Sequence, residues 1–130
     1  RDAVYYDWFT TLHGVFEKNT GEDPFNAPSE LVTAAATRDY GPYFSPVLGD
    51  VPVAFLSDHD LTNGSSGSPV LNGKGEIVGI SFDGNYESMT SDYQFDPAIT
   101  RNISTDARYI LYLLDKVYHA HRVMKEITIE

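Results

Sequence analysis

A tight hairpin turn is the feature that most limits the fold of this chain. The residues Asn72-Gly73-Lys74-Gly75 separate two β-rich runs, residues 68–71 and 76–82. Asn and Gly tolerate the positive φ angles that such turns need, so the two runs are predicted to pair as antiparallel strands. The chain is therefore predicted to hold a β-sheet of short strands, and its 130 residues suit one domain.

Other segments predict further strands and the loops between them. Aromatic and β-branched composition predicts strands at residues 3–12, 53–56 and 102–104. Pro, Gly and polar residues predict loops or irregular segments at residues 19–28, 41–52, 57–67 and 83–96.

Two helices are expected as well. Ser29 precedes an Ala-rich run, which predicts a short helix with Ser29 as its N-cap. Thr105 or Asp106 is predicted to cap a helix over residues 105–127, with a buried stripe at three- and four-residue spacing. That stripe contains Ala107, Ile110, Leu111, Leu114, Val117 and Tyr118, widened by Tyr109, Leu113 and Ala120. The predicted fold class is mainly β with a C-terminal helix.

Composition excludes several classes of function. Nine Lys and Arg against 19 Asp and Glu give a net charge of −10, and the few cations are scattered, which argues against a nucleic-acid partner. No apolar run approaches about 20 residues, so no membrane span is expected. The chain has no cysteine, which excludes disulfide scaffolds, thiol nucleophiles and Cys-ligated zinc. No histidine pair has metal-ligand spacing with a carboxylate, so neither metal nor cofactor is expected.

The segment Asn63-Gly64-Ser65-Ser66-Gly67-Ser68-Pro69-Val70 is the candidate for chemistry. A polar turn between two strands would have the same composition, so both interpretations stay open at this point. A nucleophilic serine needs a tight loop that exposes Oγ and turns backbone N–H groups towards one point, and glycines permit that geometry.

The same segment resembles the active-serine motif of chymotrypsin-like peptidases, Gly-Asp-Ser-Gly-Gly-Pro. It is more similar to bacterial dipeptidyl-peptidases of the 7 and 11 type, which carry Gly-Asn-Ser-Gly-Ser-Pro-Val, an Asn-x-x-Gly-Glu turn and Gly-x-x-Phe-Asp-Gly-Asn-Trp-Glu. This chain has Gly64 to Val70, Asn72 to Glu76, and Gly79-Ile80-Ser81-Phe82-Asp83-Gly84-Asn85-Tyr86-Glu87. The resemblance runs over nearly all 130 residues.

The resemblance implies roles for particular residues. Ser66 matches the nucleophile, and the N–H groups of Gly64 and Ser66 match the oxyanion hole. Ser65 stands where the family has Asn, and Ser65 and Ser68 are expected to be structural. Phe82, Asp83 and Gly84 match the substrate-facing segment.

The resemblance also implies a larger protein. The triad His and Asp of the family lie upstream of Arg1, in the first of two β-barrels. The chain is therefore expected to be a C-terminal fragment, part of the second chymotrypsin-like barrel, without the first barrel or the helical domain. Peptides are the expected substrates, the isolated fragment is expected to be inactive, and the expected location is periplasmic, cell-surface or secreted. Uncovered barrel faces would favour homo-oligomers.

The four histidines are weaker candidates for the missing base. His13 matches a non-catalytic position of the family, and His59 lies seven residues before Ser66, where coincidental surface placement is favoured over a makeshift base. His119 and His121 end the predicted helix, where cations favour the helix dipole.

Two residues bear on the preference for the penultimate substrate residue, P1. Gly84 stands where acid-specific relatives have Arg, so the resemblance favours an apolar P1. Asp60, six residues before Ser66, is the competing indication for a basic P1. The alternative function is a non-catalytic β-rich binding domain; a glycosidase carboxylate pair is disfavoured because no spacing selects one.

Overall fold

The computed structural model describes residues 7–129. Within them the chain divides into two compact units: one contains residues 7–10 and 53–107, and the other contains residues 11–52 and 108–129. No helix in the described range is long and apolar enough to span a membrane.

The first unit is built on a five-stranded sheet. Its strands are β1 (Phe9–Thr11), β2 (Pro52–Ser57), β3 (Pro69–Leu71), β4 (Ile77–Gly84) and β5 (Asn102–Asp106). They lie in the order β1-β2-β5-β4-β3. The pairs β2–β5, β5–β4 and β4–β3 are antiparallel. The predicted β-rich fold is thereby confirmed at the level of the sheet.

The predicted hairpin joins β3 to β4. The Asn72 N–H donates to the Glu76 carbonyl over 3.0 Å, and Gly75 has a φ of +85°. The side-chain oxygen of Asn72 accepts hydrogen bonds from the backbone N–H groups of Lys74 and Glu76. These local bonds form within the turn, which explains why the sequence alone located it.

The buried face of β5 is polar. Asn102, Ser104 and Asp106 are buried, and the residues between them are half-buried. The Ser81 hydroxyl on β4 donates to Asn102 Oδ1 over 2.7 Å. The hydroxyl of Ser104 has no hydrogen-bond partner in the described part of the chain. The buried face of β5 is therefore polar, and the bond between Ser81 and Asn102 satisfies part of its hydrogen-bonding capacity.

The second unit contains most of the helical residues. They are α1 (Leu12–Glu17), α2 (Ser29–Ala36), a 3-10 turn (Gly41–Tyr43), α3 (Ala107–Tyr112), a π-helical turn (Leu113–Val117) and α4 (His121–Met124). Tyr112 is completely buried, with its ring centroid 6.2 Å from that of Tyr40 and 6.4 Å from that of Tyr43. These rings and the buried Leu12 and Val51 form its core.

A charged cluster connects two segments of this unit. Lys116 Nζ lies 2.8 Å from a carboxylate oxygen of Asp39 and 3.9 Å from one of Asp115. The Tyr43 hydroxyl donates to Asp115 over 3.2 Å. The hydrogen bond from Lys116 lowers the pKa of Asp39, and the same bond raises the pKa of Lys116.

The C-terminal helix departs from its prediction. Thr105 and Asp106 belong to β5, where Asp106 pairs with Gly79, so the helix begins only at Ala107. In the π-helical turn the Tyr118 N–H donates to the Leu113 carbonyl, and His119 then breaks the helix with a φ of +50°. Val117 in this turn is buried, as the predicted stripe requires, and the other stripe residues from Ala107 to Leu114 are half-buried. Tyr112, absent from that stripe, is buried, whereas Tyr118 is 57 % exposed.

Two predictions near the N-terminus also need correction. The strand expected at residues 3–12 is confirmed only as β1; residues 3–6 lie outside the described range, and Leu12 already starts α1, its N–H donating to the Val51 carbonyl. Ser29 is the first residue of α2 rather than its cap. Pro28 occupies the N-cap, and the Ser29 hydroxyl donates to the Glu30 carboxylate.

Candidate active site

Ser66 lies in a loop between β2 and β3 that two glycines shape. Gly64 has a φ of +90° and Gly67 a φ of +93°, a region that L side chains rarely adopt. The Ser68 N–H donates to the Ser65 carbonyl over 3.0 Å and closes the turn. The loop is therefore sharply bent on both sides of Ser66, as the sequence predicts for a nucleophile loop.

The second half of this loop is fixed to β4. The Gly67 N–H donates to the Ser81 carbonyl over 2.8 Å, and the Ser81 N–H donates to the Ser68 carbonyl over 2.9 Å. Ser81 is itself buried. The two bonds extend the β3–β4 ladder, so the residues after Ser66 are held by the sheet.

The Ser66 side chain is exposed to solvent. Its hydroxyl donates to the Phe82 carbonyl over 3.1 Å. No basic side chain in the described part of the chain bonds to it. A serine nucleophile requires a base to take its proton, and within residues 7–129 none is in place.

Two backbone N–H groups beside Ser66 are unpaired. Within the described residues, neither the N–H of Gly64 nor that of Ser66 donates a hydrogen bond, whereas the intervening Ser65 N–H donates to the Thr62 carbonyl. Free N–H groups next to an exposed hydroxyl are what an oxyanion hole requires.

Strand β4, which contacts Ser66 through the Phe82 carbonyl, also contains the residues that the resemblance predicts to face the substrate. Phe82 and Asp83 are exposed and Gly84 is half-buried. A Cβ placed on Gly84 would clash with Ser88 Oγ and lie 3.2 Å from Ser88 Cβ. The Ser88 hydroxyl donates to the Asn85 carbonyl over 2.6 Å. Ser88 was not among the residues expected from the sequence.

A further contact reaches the first half of the loop. Asn63 Nδ2 donates to Asp92 Oδ2 over 3.1 Å. The two residues are 29 positions apart, and no motif in the sequence indicates that they meet.

His59, the histidine in the same unit as Ser66, forms no hydrogen bond with Ser66. In the serine-bearing unit, the exposed His59 ring lies 2.9 Å from the Ser57 hydroxyl. In the other unit, the His13 ring lies 3.4 Å from Glu17, and the rings of His119 and His121 stack at 6.0 Å. Asp60 is exposed. Among the described residues no group of three metal-ligating side chains could hold a metal ion.

Comparisons with known proteins cover nearly the whole chain. The family model described as Peptidase S46 matches residues 1–129. The Asp/Glu-specific dipeptidyl-peptidase of Shewanella putrefaciens is 43 % identical over 99 % of this chain and 20 % of its own length. Dipeptidyl-peptidase 7 of Phocaeicola vulgatus is 43 % identical over 99 % of this chain and 18 % of its own length.

The backbone of this chain is similar to that of a solved structure. Porphyromonas endodontalis DPP11 in complex with the dipeptide Arg-Asp superimposes with a TM-score of 0.93 and 34 % identity, over 100 % of this chain and 19 % of that one. The chain thus spans about a fifth of the length of the relatives it matches. A family model that matches residues 1–129 settles the family: the chain belongs to the peptidase S46 family.

Proposed function

We propose that residues 1–130 form the serine-bearing part of a longer dipeptidyl-peptidase, in which Ser66 is the nucleophile. The observation that carries the proposal is the loop itself. An exposed hydroxyl lies between two glycines of positive φ, beside two unpaired N–H groups. The relatives named dipeptidyl-peptidases supply the reaction class. By the same resemblance, the sheet is proposed to be part of a second chymotrypsin-like barrel in an exported enzyme.

The proposed reaction proceeds through an acyl-enzyme. Ser66 Oγ attacks the carbonyl carbon of the second substrate residue, and its proton passes to a histidine supplied by another part of the polypeptide. The carbonyl oxygen becomes an oxyanion, which the N–H groups of Gly64 and Ser66 stabilise; loss of one such donor costs about 3 kcal/mol in barrier. The histidine returns the proton to the leaving amine, and water then releases the dipeptide from Ser66.

The hydrogen bond to Phe82 defines the resting state of this serine. The Ser66 hydroxyl donates to a carbonyl, which cannot accept a proton at neutral pH. Before attack, a base would have to replace the Phe82 carbonyl as the acceptor of the hydrogen bond from the Ser66 hydroxyl. Residues 1–130 alone are therefore proposed to bind no substrate productively and to show no turnover.

For P1 we propose an apolar residue. Gly84, at the end of the strand that contacts Ser66, has no charged side chain, and the half-buried Ser88 occupies the space that a larger residue at 84 would need. The relatives include enzymes named Asp/Glu-specific, so the comparisons do not support this preference. A library of dipeptidyl substrates with the complete enzyme tests it: preference for Asp or Glu, or for Lys or Arg through Asp60, would overturn it.

A fluorophosphonate probe tests the function itself. In the complete polypeptide we expect covalent labelling that Ser66→Ala abolishes. Ser65→Ala and Ser68→Ala are matched controls in the same loop and should retain labelling. Absence of labelling in the wild-type polypeptide would contradict the proposal and favour a non-catalytic binding domain that keeps the serine loop as a turn.

A further inference from the structure

The two halves of the Ser66 loop are held in different ways. Gly67 and Ser68, after the nucleophile, are fixed to β4 by two backbone bonds through Ser81. Residues 60–64, before the nucleophile, form no backbone–backbone hydrogen bond with another element in the described part of the chain. This first half nevertheless contains Gly64, whose N–H is one of the two proposed oxyanion donors.

Side chains provide the attachment that the backbone lacks. Asn63 Nδ2 donates to Asp92 Oδ2 over 3.1 Å. A longer contact of 3.5 Å connects the Ser91 hydroxyl to the Leu61 carbonyl. Both partners come from the segment that follows β4. The bond to Asp92 is the shorter of the two and accepts on a carboxylate, so it is the stronger link.

The bond between Asn63 and Asp92 affects the orientation of the Gly64 N–H, because Asn63 is the residue before Gly64. Asn63 immediately precedes Gly64, so the peptide group between them carries the Gly64 N–H. Gly64 has no Cβ to restrict rotation, and a Cβ there would meet nothing within 4 Å. Without a fixed Asn63, that peptide group is free to turn its N–H away from the oxyanion.

We infer that Asp92 is a positioning residue, which holds Asn63 and thereby directs the Gly64 N–H at the oxyanion. The inference rests on the proposed function, in which Gly64 is an oxyanion donor. Asp92 acts through Asn63, and its carboxylate forms no hydrogen bond with Ser66 within the described residues. Its effect is on the transition state, because the oxyanion forms only there.

The test compares variants of the complete enzyme. Asp92→Ala and Asn63→Ala should each lower kcat, and the rate of fluorophosphonate labelling of Ser66, by about three- to tenfold, the range for one hydrogen bond. KM should change by less than about twofold, because ground-state binding does not use the oxyanion donor. Asp58→Ala is the matched control: Asp58 is exposed in the same loop, and no hydrogen bond to its side chain is seen within residues 7–129.

Further variants distinguish the effect of the hydrogen bond between Asn63 and Asp92 from the effect of the negative charge on Asp92. Asp92→Asn keeps an acceptor for Asn63 and should retain most of the activity. Asn63→Asp alone places two carboxylates together and should lower kcat, whereas Asn63→Asp combined with Asp92→Asn recreates the bond in reverse and should restore it. Thermal unfolding identifies any variant that fails to fold, and the exchanged pair then decides the question.

Three results would overturn the inference. They are an Asp92→Ala enzyme that matches Asp58→Ala, an Asp92→Asn enzyme as impaired as Asp92→Ala, and an exchanged pair without recovery. Failure of the proposed function itself looks different, because the wild-type enzyme would then show no labelling at Ser66.

Discussion

Gly79 allows an aromatic ring to cross the sheet, and replacing it by Ala tests that packing. Phe55 on β2 reaches over β5 to β4: a Cβ at position 79 would lie 2.7 Å from Phe55 Cε1. It would also lie 2.7 Å from the Thr105 carbonyl oxygen. Both distances are about 0.7 Å inside the ordinary contact of 3.4 Å. The ring has room to respond by rotation, but the carbonyl belongs to the β5 backbone, which is paired with β4.

The expected cost follows from that geometry. Overpacking of a core typically costs about 1–3 kcal/mol, and a clash with paired backbone places Gly79→Ala near the upper end. With a urea m-value of about 1–3 kcal/mol per molar, a cost of about 3 kcal/mol should lower the unfolding midpoint by about 1–3 M. Gly73→Ala is the control, because nothing lies within 4 Å of its Cβ and its φ is not in the left-handed region.

The assay is urea unfolding of the 130-residue chain, followed by circular dichroism. Adding Phe55→Ala removes the clash with the ring and leaves the clash with Thr105. Gly79→Ala should therefore still lower the midpoint in the Phe55→Ala background. Equal midpoints for Gly79→Ala and Gly73→Ala would refute the reasoning, since the sheet would then tolerate a Cβ at its centre.

Three further predictions follow from the site and from the charged cluster. The 130-residue chain should release no dipeptide from chromogenic substrates; turnover that Ser66→Ala abolishes would show that a base lies within it. In the complete enzyme, Gly84→Arg combined with Ser88→Gly should hydrolyse substrates with Asp or Glu at P1 faster than Gly84→Arg alone, and equal rates would show that Ser88 yields freely. The pKa of Asp39 is lowered and that of Lys116 raised by their mutual hydrogen bond, so the pair stabilises the fold fully between about pH 4 and pH 10; this effect declines as the pH falls through the lowered pKa of Asp39 or rises through the raised pKa of Lys116. Lys116→Met should accordingly lower the urea midpoint more at pH 7 than at pH 2, and an equal difference at both pH values would contradict the pairing.

Local pattern predicted the sheet better than it predicted the helices. The strands β2 and β4 and the turn between β3 and β4 lie close to their expected positions, because their signals are contained in a few adjacent residues. Helix α1 was not expected, since Gly14 interrupts a short segment of low helix propensity. Burial of Leu12, which is 1 % exposed, and its bond to Val51 stabilise that helix, and neither is visible in the local sequence.

The C-terminal helix likewise depends on contacts that the local sequence does not show. The apolar spacing over residues 107–118 indicated a helix, and a helix is present. Its start was misplaced because Asp106 pairs with Gly79, and its continuation failed because a π-helical turn and the positive φ of His119 change its direction. The secondary-structure propensity of Asp106 carries no information about a strand partner 27 positions away in the sequence.

The amino-acid sequence alone is enough to predict the turn at Asn72–Gly75, the bent loop around Ser66 and, by resemblance, the family. These depend on backbone angles that Gly and Asn adopt, a property of single residues. Nothing in the sequence indicates that the Ser66 hydroxyl donates to Phe82, that Asn63 is bonded to Asp92 or that a ring passes over Gly79; these contacts are seen in the folded chain. Each of those contacts joins residues 16 or more positions apart, and chain folding, rather than local preference, brings them together.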